Sequence, residues 1–296
     1  MINKPLSAIF ISVLSASFAA IFIVSCEAPS LSIALYRLLF TTLLIFPFVV
    51  INKKVRKELL EIPRSTLIVM VGIGLILAAH FAFWITSLEF TSVASSVMLV
   101  TAHPVLVAPV AHHFFKERLS TVNIIGIILS VSGVVLLVYG NYGFSSFTLD
   151  TLEGNILAIL GGIAAGIYIL GGRRMRRNVS IVPYAIVVYG VGTLALLIIC
   201  LLFSAPVYGL KVNDYWIILL MAVVSGVFGH TLYNWSLEYV RASLASVVLL
   251  VEPLFSTLFA FVLPWIHQIP SVFTVAGGSV IILGIYMTSR NTSDYT

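Results

Sequence analysis

The chain has 296 residues, 60% hydrophobic and 9% charged, with a mean hydropathy of +1.12. Soluble domains carry about 25% charged residues, so the composition excludes an ordinary soluble enzyme. The net charge of +5 sits in short basic clusters between apolar runs, which excludes a nucleic-acid-binding surface.

Polar breaks divide the chain into ten apolar runs, at about 6–25, 31–50, 66–87, 92–113, 121–140, 154–172, 181–203, 214–236, 242–263 and 271–289. A helix needs roughly 20 apolar residues to cross a bilayer. A segment in lipid must satisfy its backbone internally, as a helix or in a closed barrel. The barrel alternation of roughly ten residues is absent. The predicted fold class is an all-α polytopic membrane protein with ten transmembrane helices. The first run is longer than the apolar core of a signal peptide, about 7–15 residues, and more spans follow, so it is read as an uncleaved helix. Lys and Arg favour cytoplasmic loops. With the N-terminus inside, 14 of the 16 basic residues fall on inside loops: Lys4, the Lys53–Arg64 cluster, Lys116, Arg118, Arg173, Arg174, Arg176, Arg177, Arg241 and Arg290. Lys211 lies outside and Arg37 lies within a span, so both termini are expected to be cytoplasmic.

The order of features occurs twice. "SLEFTSVASSVMLVTAHP" runs from Ser87 to Pro104, and "SLEYVRASLASVVLLVEP" from Ser236 to Pro253. "HFAFW" precedes the first at His80 and "HTLYN" the second at His230; Gly126 and Gly133 follow the first, Gly277 and Gly284 the second. Five spans per copy is an odd number, so the second copy enters the membrane from the opposite side. That makes a 5+5 inverted-topology repeat, a plan of secondary transporters with substrate sites near the midplane.

These same stretches, with the Tyr36-Arg37 region of the second span, resemble the drug/metabolite transporter superfamily, in the branch with two EamA domains. The resemblance implies a first EamA repeat over 1–140, an external linker at 141–152, and a second repeat over 153–296 ending in a short cytoplasmic tail. It further implies a central cavity lined mainly by helices other than the fifth and tenth. Many members of the family export amino acids or other small metabolites. The first repeat carries Lys116-Glu117-Arg118-Leu119 after its fourth span, as such domains usually do, whereas the second has "WIHQIP". The first span lacks the glutamate of small multidrug transporters, and Ser15, Ser17 and Ser25 are its polar members.

Ionisable groups at membrane depth cost about 2.5–3.5 kcal/mol on insertion scales, so each is a candidate for function. Glu252 lies near the middle of the ninth span, directly before Pro253, which frees the carbonyl of Leu249. It is expected to bind a proton or a substrate amine; the competing reading is a structural acid paired within the bundle. His103, before Pro104, is its repeat mate and is expected to share the cavity, the alternative being a hydrogen-bonded core histidine. His80 and Trp84 form a polar–aromatic stripe on one helix face, and His230, Tyr233 and Asn234 form another. Both are expected on the pocket wall, against ordinary aromatic packing. Arg37 is read as a gating or structural ion pair with an outer acid such as Glu89, with snorkelling to the interface or a substrate carboxylate as alternatives. The glycines of spans five and ten suggest close helix packing, extending to a homodimer seam. The arginines of "GGRRMRRN" are read as topology determinants with nonspecific lipid contact.

Two distant cysteines, Cys26 and Cys200, suggest neither a disulfide nor a metal. No Walker loop, dinucleotide fingerprint, HExxH or CxxC is present. The function expected is a non-enzymatic secondary transporter of the inner (plasma) membrane. It has no cofactor, and its partners are a small-molecule substrate and the bilayer, not nucleic acid. It would be an exporter, an amino acid being the first candidate, working by alternating access with proton antiport. An importer or exchanger of sugar-phosphate type is the alternative, ahead of a membrane enzyme or a lipid flippase.

Overall fold

A computed structural model describes residues 4–142, 151–262 and 271–290. The external linker, "WIHQIP" and the C-terminal tail lie largely or wholly outside the described residues. The helices are α1 (Lys4–Ala16), α2 (Ala19–Val24), α3 (Ser30–Ile51), α4 (Lys53–Glu61), α5 (Arg64–Phe90), α6 (Val93–Thr101), α7 (Pro104–Phe114), α8 (Thr121–Tyr142), α9 (Leu152–Arg176), α10 (Ile181–Leu202), α11 (Val212–Met221), α12 (Leu232–Ser236), α13 (Ala242–Val248), α14 (Glu252–Val262) and α15 (Val272–Ser289). A π-helix, Ala222–Thr231, joins α11 to α12, and a 3₁₀ turn, Leu249–Val251, joins α13 to α14. Among the described residues, nine helical segments are long and apolar enough to cross a membrane, and Ala242–Phe255 is a shorter apolar helix. The molecule is an all-α polytopic membrane protein.

Both prolines flagged in the sequence break their helices. The fourth span ends as α6 at Thr101 and resumes as α7 at Pro104; the ninth winds into the 3₁₀ turn one residue before Glu252. Proline has no N–H to donate and crowds the preceding turn, so the ladder opens there. One departure from the sequence reading is the eighth span. Its middle is π-wound, with hydrogen bonds reaching one residue further than in an α-helix, a geometry frequent at functional sites.

Helices of one repeat pack mostly on helices of the other: α1 on the π-helix, α3 on α10, α5 on α9 and α10, and α8 on α15. The α8–α15 seam shows the symmetry directly. A Cβ on Gly126 would lie 2.6 Å from the Gly284 carbonyl, and one on Gly133 would lie 2.8 Å from that of Gly277. The reverse contacts are 2.5 Å and 2.6 Å. Gly126 and Gly277 are repeat mates, as are Gly133 and Gly284, so each glycine meets the mate of the other. Two equivalent helices therefore run antiparallel across a pseudo-twofold axis. The glycine faces expected at a homodimer seam are occupied within one chain. Gly284→Ala is expected to force the two backbones apart and cost about 1–3 kcal/mol, as overpacking does. Gly72→Ala, with open space around it, removes a helix-destabilising glycine and should be neutral or better. Thermal midpoints of the two variants in detergent check this: equal midpoints would discount the seam.

Contacts between loops sort the two ends. At one end the Glu58 carboxylate accepts from Ser180 N (2.7 Å) and Oγ (2.5 Å), Arg241 donates to Arg118 O (3.4 Å), and Asn123 Nδ2 donates to Arg290 O (2.9 Å). The basic loops thus gather together. At the other end Lys211 pairs with Glu27, and Asp214 accepts from Glu27 N at 3.0 Å. Burial, helped by Asp214, pushes the nearby Cys26 thiol up to about 12, so it stays protonated.

Candidate functional site

A cavity of about 70 Å³ lies at the pseudo-twofold axis, where the broken fourth and ninth spans approach each other. Its wall takes residues from α1, α2, α3, α5, α6 and the break after it, α9, the π-helix, α12 and the α13–α14 break, and none from α8 or α15. Arg37, His80, Trp84, His103, His230, Tyr233 and Glu252 all line it. His80 and His230, seven and six residues upstream of the repeated Ser-Leu-Glu, stand with ring centroids 6.5 Å apart. His103 and Glu252 come from the two proline breaks, each one residue before its proline.

Neighbours fix several of these groups. Gly161 lets α5 approach closely, since a Cβ there would lie 3.1 Å from Trp84 N. His80 Nδ1 reaches the Gly161 carbonyl at 2.9 Å. A carbonyl only accepts, so Nδ1 carries the proton and a neutral His80 leaves Nε2 as an acceptor. The His80 ring stacks on Trp84, 5.8 Å between centroids and 13° from parallel. Trp84 and Phe81 in turn carry Arg37, whose guanidinium carbon lies 4.4 Å from the Phe81 centroid and 5.6 Å from that of Trp84. Such desolvated cation–π contacts contribute about 2 kcal/mol.

Two expectations are corrected. Arg37 does not pair with Glu89. The Glu89 carboxylate instead holds the start of α3, accepting from Ser30 N at 3.0 Å and from Ser30 Oγ. Arg37 is turned inward at 1% exposure and shares the cavity wall with Glu252. Asn234 is not on the wall: it is fully buried behind it, its two Nδ2 hydrogens shared among the His230 carbonyl (2.7 Å), Tyr168 Oη (2.5 Å) and Tyr189 Oη (3.2 Å). Periodicity gives a helix face and not its depth: the tyrosine hydroxyls of α9 and α10 capture the Asn234 amide, so it staples the wall from behind while Tyr233 lines it.

Sequence reasoning missed Tyr168 and Ser12 on the wall. It also missed an ionic cluster beneath the cavity. Arg173 and Arg176 turn inward while Arg174 and Arg177 face out. Arg173 Nη1 donates to the carbonyls of Leu237 (2.6 Å) and Glu238 (2.9 Å), and its Nε lies 3.5 Å from Glu117 Oε1. Arg176 Nη2 meets Glu238 Oε2 at 2.5 Å. The three-residue spacing of Arg173 and Arg176 on one helix face was the available signal.

A membrane bundle of two repeats, with ionisable and aromatic groups converging on a cavity at their shared axis, has the architecture of a membrane transporter. The chain belongs to the EamA-like transporter family, which it matches over residues 3–139 and 152–290. It is similar to an uncharacterized transporter of Archaeoglobus fulgidus, 25% identical over 267 residues and 89% of each chain. It is also similar to the uncharacterized transporter YdfC of Bacillus subtilis, 23% identical over 260 residues, 86% of this chain and 80% of that one. A solved crystal structure shares the fold, with a TM-score of 0.78 over 96% of both chains at 18% identity. Family and relatives point to a transporter rather than an enzyme.

Proposed function

We propose that the protein exports a small polar metabolite, an amino acid first among candidates, across the inner (plasma) membrane by alternating access. The observation that carries this is the convergence of Arg37, Glu252 and three histidines on one cavity at the repeat axis. Ionisable side chains at membrane depth are costly and mark substrate or proton paths. The 14-to-1 distribution of basic residues favours cytoplasmic termini, with the Glu117 end facing the cytoplasm. Because helices of the two repeats interleave, the moving bodies each combine helices from both. Proton antiport follows if Glu252 exchanges a proton for substrate within one cycle. A dianionic sugar phosphate fits less well, since Arg37 is offset by Glu252 and leaves no net positive charge in the cavity. The test is counterflow in proteoliposomes with a labelled amino-acid panel. Exchange of at least one member, accelerated by an opposing pH gradient, is expected; exchange of none rejects an amino-acid cargo.

A further inference from the structure

We infer that Arg37 anchors the carboxylate of the cargo, so that the cavity selects zwitterions with the ammonium end on Glu252. The inference rests on the transporter reading and names the substrate chemistry of the same cavity. Its basis is a mismatch of donors and acceptors. Arg37 is 1% exposed and lines the cavity, yet Nε, Nη1 and Nη2 have no hydrogen-bond partner among the described residues. Trp84 Nε1 and Tyr233 Oη, on the same wall, likewise have none. A guanidinium has five N–H donors and no acceptor, an indole N–H only donates, and a phenol can donate. The wall thus offers a set of donors fitted to an anion, while Glu252 is the one carboxylate among its lining residues.

Geometry favours a planar anion. Phe81 and Trp84 hold the guanidinium by ring contact, which uses none of its N–H groups. A guanidinium presented this way matches a carboxylate through two parallel hydrogen bonds. Charge balance then selects the class. Arg37 and Glu252 cancel, and a zwitterion adds no net charge to a site where an unpaired ion is costly. A simple acid leaves Glu252 opposed to nothing, and a simple amine does the same to Arg37. The structural reading of Arg37 as an ion-pair partner of Glu89 is unavailable, because Glu89 caps α3.

The experiment varies the ligand on the unaltered protein. Alanine, leucine and phenylalanine are compared with their amides and with the matching deaminated acids, propionate, 4-methylpentanoate and 3-phenylpropionate. Each is assayed by counterflow in proteoliposomes and by thermal stabilisation of the purified protein, which needs no transport. At least one amino acid should be bound at least tenfold more tightly than both its amide and its deaminated acid. Arg37→Gln should erase the preference for acid over amide, and Arg37→Lys should keep part of it, a split that a merely structural arginine would not produce. Amides bound or moved as well as the amino acids overturn the inference and leave the transport reading standing. Selective binding without exchange does the reverse. Absence of any carboxylate-dependent response in both assays overturns the inference, whether or not the Arg37 variants fold.

Discussion

Glu252→Gln is expected to abolish the pH dependence of exchange and to raise KM for the cargo at least tenfold, while exchange at saturating substrate continues. Glutamine keeps the size and polarity of the side chain and removes its charge and its proton. Glu252 stands at the start of α14, directly after the 3₁₀ turn, and faces a cavity whose other ionisable groups are Arg37, His80, His103, His230, Tyr168 and Tyr233. Its carboxylate can hold a proton or a substrate ammonium, not both, and that competition is sufficient to couple the two flows. The neutral variant resembles the protonated state permanently, so uphill accumulation driven by a pH gradient should fall at least tenfold. The same change removes the carboxylate that shares the cavity wall with Arg37. An isolated buried charge is destabilising, so Glu252→Gln should lower the thermal midpoint, and adding Arg37→Gln should cost less than the sum of the two single changes. Retention of gradient-driven accumulation by Glu252→Gln would remove Glu252 from the coupling.

Much of this arrangement was legible in the sequence, because hydropathy and proline act locally. The spans, the repeat and both helix breaks follow from apolar run length, ordered landmarks and the chemistry of Pro104 and Pro253. Seven of the residues singled out share one cavity because an inverted repeat brings equivalent positions to a common axis, and His103 and Glu252 are such equivalents. What was not legible depended on partners. Periodicity gives the face of a helix a residue occupies, not what stands opposite, and Glu89 was assigned to Arg37 although Ser30 takes it. Asn234 was misplaced because its captors, the hydroxyls of Tyr168 and Tyr189, come from other helices. Arg173 and Arg176 were read as topology determinants with nonspecific lipid contact; here the Leu237 carbonyl after α12 captures Arg173 and the Asn234 carbonyl within α12 captures Arg176.

The Glu117 carboxylate should prove the most sensitive acid outside the cavity. It is 4% exposed and accepts from Ala242 N (3.0 Å), Ser243 N (3.2 Å) and Ser243 Oγ (3.0 Å) at the start of α13, besides facing Arg173. Lys116, with φ of 57°, turns the chain in the left-handed region just before it. One side chain thus ties the loop after α7, in the first repeat, to α9 and α13 in the second, and α13 leads into the turn that presents Glu252. Glu117→Ala removes the acceptor of two helix N–H groups and the counter-charge 3.5 Å from the largely buried Arg173 guanidinium, which costs about 3–5 kcal/mol by analogy with broken buried pairs. Glu117→Gln keeps one acceptor oxygen and should fall between. If the contact were energetically idle, Glu117→Gln and Arg173→Gln would each be neutral and their effects additive; coupling of about 0.5–3 kcal/mol in the double-mutant cycle is expected instead. Exchange rate decides what the contact is for. A tie that must open in every cycle restrains the transporter, so weakening it with Glu117→Gln should speed exchange while lowering the thermal midpoint. A purely structural tie would lower both.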